Sequence, residues 1–218
     1  AAECIDEQGL PLNSQREIYK INRFFNGKVF NYAPRQEFKR LLSGDYIVCP
    51  SVIYRLSAVK TIGRFNERYH QVLDWEYWFR VVAAGHSICG CSEKLYIYRR
   101  HLSNASVVNR QSLVRYEEEL RLLEWAYSQA KSMGFRDLKY SGTVVRNIII
   151  FDIFTALVAR ESDAASKAIK FMEQRELTSR LLGGLLRIYS KLGPIAGITG
   201  NFLISLYIRL LGLRVSVG

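Results

Sequence analysis

The sequence predicts an α/β part over residues 1–106 followed by an all-α region over 107–218. Three observations lead to this. Up to residue 106, short apolar runs alternate with short helix-period segments, which is the signature of mixed α/β structure. From Asn109 on, only helical periodicity remains. Gly and Pro punctuate the pattern at the points where those segments end.

The elements follow in chain order. Residues 1–5 read as the tail of a strand running into a turn at Asp6-Glu7-Gln8-Gly9, and a polar loop rich in Asn, Gln and Arg comes next. Residues 35–42 (RQEFKRLL) form a short helix stopped by Ser43-Gly44. Residues 46–54 (YIVCPSVIY) are strand-like, with Pro50 interrupting. Ser57 is placed to cap a helix that ends at Gly63, and 65–69 is a loop. Asp74 opens a helix that Gly85 closes, with Trp75, Trp78, Phe79 and Val82 at helical spacing. Residues 87–91 and 94–100 are two short strands, and in the second Leu95 and Ile97 alternate with Tyr96 and Tyr98. Helices are expected over 113–133, 144–159, 162–174, 177–192 and 195–213. Glu117-Glu118-Glu119 reads as a solvated face of the first. The last apolar run has the length of a membrane span. It contains Asn201, Ser205 and Arg209, so it is read as an interfacial or packed helix.

Composition narrows the function. Of 218 residues, 49% are hydrophobic and 23% charged, a globular balance that excludes disordered and collagen-like classes. Lys plus Arg number 31 against 20 Asp plus Glu, a formal net charge of +11. That surplus calls for an anionic partner such as phosphate groups or an acidic membrane face. It is spread over both halves of the chain, whereas a nucleic-acid domain concentrates it, so no nucleic-acid partner is expected. Cys4, Cys49, Cys89 and Cys91 have no zinc or redox spacing and read as reduced thiols. There is no secretory signal at the start, and a cytoplasmic location is expected.

Two groups stand out chemically. Asp74, at a helix N-terminus, is a carboxylate that backbone N–H groups and the helix dipole hold ionised; it serves either as an N-cap or as a general base facing a cleft. His101 follows the strand YIYRRH where it gives way to a polar loop, and strand ends are where ligands approach an α/β sheet. Arg99 and Arg100 alternate in facing, so one of the two can meet phosphate.

In order and spacing, IDEQG, GDYIVCPSVIYRLSAVKTIGRFNERY, LDWEYWFRVVAAGH and YIYRRHLSNAS resemble the second half of the catalytic domain of family 2 glycosyltransferases. The resemblance covers residues 1–106 and implies part of a GT-A-type, Rossmann-like domain. It implies inverting sugar transfer from a nucleotide-sugar donor to an acceptor hydroxyl of a glycan or a lipid-linked acceptor. Asp74 falls on the catalytic base, and Leu73 stands where the family often has Glu. Trp75 and Glu76 would line the acceptor side, with Ser51 near the sugar and Arg100 contacting substrate. His101 falls on the histidine that in many members completes the metal or pyrophosphate site, so a divalent metal (Mg or Mn) is implied in the intact enzyme. The family's Asp-x-Asp motif occurs nowhere in this sequence. With the opening in mid-strand, this leads to the expectation of a chain truncated before its nucleotide-binding half and inactive alone. The basic, apolar helices of the second region lead to a further expectation, peripheral contact with the inner face of the plasma membrane. The alternative is a non-enzymatic basic helical module that binds membrane or another protein.

Overall fold

The computed structural model describes residues 2–12, 29–91, 93–101, 113–136, 138, 140, 142–191, 199 and 206. Among them are seven α-helices and four short strands, an α-rich mixed fold. The chain divides into two compact units, 1–108 with 121–140, and 109–120 with 141–218. Segment 121–140, which the sequence pattern groups with the helical region, thus belongs to the first unit.

In the first unit, strand β1 (Ala2–Ile5) pairs in parallel with β4 (Tyr96–Arg99), and β2 (Val29–Asn31) pairs antiparallel with β3 (Cys89–Cys91). The turn after β1 is built by Asp6, whose Oδ1 accepts from the N–H groups of Gln8 and Leu10 at 2.9 and 2.8 Å. Arg99 Nη1 clamps the same turn, donating to the carbonyls of Asp6 and Glu7 at 3.1 and 2.9 Å. Strand β2 falls in what the sequence presents as polar loop. Its three residues carry too short an alternation to register as a strand.

Helix α1 (Pro34–Leu41) starts on proline and has Lys39 and Arg40 in its last turn, both favourable to the helix dipole. Residues 46–54 do not form the expected strand. Pro50 has no N–H for a ladder, and Cys49–Ser51 close a 3-10 turn instead. Helix α2 (Leu56–Ile62) starts after Arg55 without a side-chain cap, so Ser57 lies inside it rather than capping it. It stops at Gly63, whose φ of +85° is open to glycine at little cost.

Helix α3 (Leu73–Ala83) is the centre of the first core. Phe38 of α1 packs on Phe79 with ring centroids 5.0 Å apart, and Phe79 meets Trp125 edge-on at 6.4 Å. Trp125 lies on helix α4 (Val114–Ser132). Phe38, Leu41, Trp75, Phe79, Val82 and Leu122 are all buried.

The second unit packs helices α5 (Thr143–Val158), α6 (Ser162–Gln174) and α7 (Arg180–Ser190). Ser179 caps α7, its hydroxyl accepting from the Leu182 N–H at 3.2 Å. The glutamate run is not a solvated face: Glu118 and Glu119 are buried, and Glu117 pairs with Arg175. Arg115 Nε meets Glu119 at 2.7 Å and its Nη1 lies 3.5 Å from Asp152, which also accepts from the Tyr116 hydroxyl at 3.1 Å. Burial works against the Arg115 charge, and the two carboxylates more than restore it. Apart from Thr199 and Leu206, the helix expected over 195–213 lies outside the described residues. Among those residues no helix is long and apolar enough to cross a membrane.

Candidate functional site

The site is built on the first turn of α3. Val72, not Asp74, is the residue before the helix, and it offers no side-chain cap. Asp74 is the second helical residue. Its Oδ1 accepts from the Trp75 N–H at 2.8 Å, which keeps the carboxylate at the positive end of the helix dipole. This corrects the expectation of a classical capping position while keeping the electrostatic setting. Asp74 is half-buried.

The helix period sets Tyr77 and Trp78 on the side of Asp74. Tyr54 stacks on Trp78 with centroids 5.8 Å apart and an interplanar angle of 18°, and meets Tyr77 edge-on at 5.9 Å. Phe65 tilts onto Tyr77 at 4.6 Å. Tyr54 and Phe65 each keep 37% of their surface exposed, while Tyr77 and Trp78 are buried. The result is an aromatic wall with two open members beside one carboxylate. The Trp78 indole N–H is buried without a hydrogen-bond partner among the described residues, an arrangement that costs about 1–3 kcal/mol.

Cys49 completes the group. Burial, then the charges of Asp74 and Asp45, push its thiol up to about 11, against a smaller opposing effect of the bond from the Tyr54 hydroxyl. At neutral pH it is a thiol and not a nucleophile. The Tyr54 hydroxyl is held well above its ordinary range, first by burial, then by Cys49, Tyr77 and Asp74, and stays protonated.

The other residues singled out by sequence divide. Ser51 is exposed on the same 3-10 turn as Cys49, and its hydroxyl donates to the Val48 carbonyl at 2.7 Å. Trp75 and Glu76 both sit in the core and hold structure. Trp75 Nε1 donates to the Leu41 carbonyl at the end of α1, at 3.1 Å. Glu76 is chelated by Arg80 Nε at 2.9 and 3.0 Å. The Arg80 guanidinium goes on to the carbonyls of Ile62 and Arg64, both at 2.8 Å, and lies 4.8 Å from the Tyr77 ring centroid. Glu76 and Arg80 therefore fasten the loop that carries Phe65 to α3. Arg100 stacks its guanidinium 4.2 Å over Tyr98, and its N–H donates to the Ile5 carbonyl at 2.7 Å. His101 is half-buried just beyond β4.

Comparison of the chain with protein-family models, curated proteins and solved structures returns no match.

The resemblance sets the segment 49–55 (CPSVIYR) at the border of the acceptor cleft, but sequence reasoning singled out only Ser51 in it, not Cys49 or Tyr54, and missed Phe65. The available signal was an aromatic residue at the end of a proline-broken apolar run, but which aromatic stays exposed depends on packing. Among the described residues no group of three or more His, Cys, Asp or Glu is placed to hold a metal ion; the resemblance implies the divalent metal for the intact enzyme.

Proposed function

We propose that this chain supplies the acceptor side of an inverting glycosyltransferase of the family 2, GT-A type, with Asp74 as the general base. One observation carries the reading. Asp74 is a half-buried carboxylate whose charge acts on Tyr54, a partly exposed ring that meets the partly exposed Phe65 edge-on, while Glu76, on the same helix turn, is taken up by Arg80. The resemblance of residues 1–106 to that family points the same way.

In the reaction, Asp74 takes the proton of an acceptor hydroxyl. The acceptor oxygen attacks the anomeric carbon of the donor, and the carbon–oxygen bond to the nucleoside diphosphate breaks, with the electron pair leaving on the diphosphate. A single displacement from the opposite face inverts the anomeric centre. An alcohol with a pKa far above 7 needs such a base, and positioning it in line lowers the barrier further. Tyr54 and Phe65 offer apolar ring faces to the C–H face of a sugar, and the protonated Tyr54 hydroxyl adds a polar contact. Donor binding falls to residues other than these, since the sequence has no Asp-x-Asp.

Saturation-transfer NMR of the chain with a panel of short oligosaccharides tests the acceptor side. The expected result is sugar-proton saturation that Phe65→Ala weakens and Asp74→Asn retains. Absence of signal from the whole panel, or signal that Phe65→Ala leaves unchanged, overturns it.

A further inference from the structure

Helix α7 has two apolar faces. Gly183 and Leu186 are buried, and the helix packs on α6, with Glu173 of α6 lying close over Gly183. On the far side, Leu181, Leu185 and Ile188 are 75%, 55% and 63% exposed. At 3.6 residues per turn these three fall within an arc of about 60°, roughly opposite the buried pair. Arg180, Arg187 and Lys191 fall within an arc of about 40° along one border of that row. All three are exposed, and Arg187 also bonds Glu173 at 2.9 Å.

The charge pattern identifies the occupant. After Glu176 the sequence carries five basic residues, Arg180, Arg187, Lys191, Arg209 and Arg214, and no Asp or Glu. A protein partner cored by apolar contacts has no need of a segment cleared of acids. An anionic lipid surface does, because acidic side chains there meet repulsion while Lys and Arg are drawn to the headgroups. A row of exposed leucine and isoleucine bordered by basic residues is the pattern of a helix lying in the interface plane, with its apolar side chains below the headgroups. Long Lys and Arg stems reach the headgroups from that position.

We infer that the Leu181–Leu185–Ile188 face of α7 docks on an anionic lipid bilayer. The inference stands apart from the transferase reading, and its test does not read sugar transfer.

The experiment is vesicle flotation of the full chain. Neutral phosphatidylcholine vesicles are compared with vesicles containing phosphatidylserine, at low and high salt. The wild type is expected to float with anionic vesicles and to be released by 0.5 M NaCl, a concentration chosen to shorten the screening length to roughly 4–5 Å. The triple variant L181Q/L185Q/I188Q, changed only at exposed positions, is expected to lose at least tenfold in partitioning, on the order of 1.4 kcal/mol, with an unchanged melting temperature. As a second readout independent of that variant's folding, L185W places an indole on the face. Its fluorescence should be quenched by brominated acyl chains. Wild-type chain that does not float, floats equally with neutral vesicles, or is matched by the triple variant overturns the inference. So does an L185W indole that brominated lipid leaves unquenched.

Discussion

Arg80→Met separates a structural clamp from a substrate contact. The methionine keeps most of the aliphatic stem and removes the guanidinium, which lies over the Tyr77 ring and bonds both Glu76 oxygens and the carbonyls of Ile62 and Arg64. Glu76 is buried, so the change leaves a carboxylate in the core without its counter-charge. Breaking such a pair from one side costs about 3–5 kcal/mol. The two carbonyls lie near solvent and regain water, so they add little. For a chain of this size that corresponds to a melting temperature lower by about 6–20 °C. The double variant Glu76→Gln/Arg80→Met carries no buried charge and should recover about 2 kcal/mol or more of the loss. Thermal unfolding of the four proteins in the cycle measures both numbers. Arg80→Met also frees the loop carrying Phe65, so oligosaccharide saturation at that ring should fall even below the melting point. A loss under about 1 kcal/mol, or a double variant as unstable as the single, would refute the clamp.

Two more outcomes follow from buried charges. Glu37 is fully buried, accepts from the Tyr46 hydroxyl and lies 3.6 Å from Arg40, and burial, only partly countered by Arg40, pushes its carboxyl up to about 7. Its pKa is thus higher folded than unfolded, so its stabilisation is complete below about pH 4.5 and is lost as pH rises through 7. Glu37→Gln should flatten the pH dependence across that window and leave the variant more stable at pH 8 by up to about 3 kcal/mol, as read by urea unfolding at a series of pH values. Arg115→Met strands the buried Glu119 and Asp152 together in the second unit and should cost about 3–5 kcal/mol. Amide exchange in α5 and α6 should rise while exchange in α1 and α3 stays slow.

The helices were legible where sequence punctuation and packing agree. Residues 162–174 were bounded correctly by their own periodicity, and Gly63, Gly85 and Gly134 mark ends that the structure keeps, each with positive φ. The strands were less legible, because each is three or four residues long and owes its pairing to a partner far along the chain, as Ala2 does to Tyr96. Residues 46–54 misled because an apolar run predicts burial better than it predicts extension; Pro50 decided the outcome. At the site, Asp74 was legible from its place at a helix start. That Glu76 and not Asp74 is taken up by Arg80 was not, since it depends on Arg80 lying four residues after Glu76 and six after Asp74. The Glu117–Glu119 run shows the same limit. Nothing in the run itself says that Arg115 will take up Glu119 or that Arg175 will pair with Glu117.

Turnover of a nucleotide sugar by Asp74→Asn, with a donor-binding half supplied in the same polypeptide, tests the central claim most directly. Asparagine keeps the size of the side chain and its bond from the Trp75 N–H, so folding and oligosaccharide binding should be retained. The account predicts that the rate falls by about 10²–10⁴, the usual effect of losing a general base, with the melting temperature within about 2 °C of wild type. Turnover close to that of the wild type would contradict it and leave Asp74 a helix-terminal carboxylate alone.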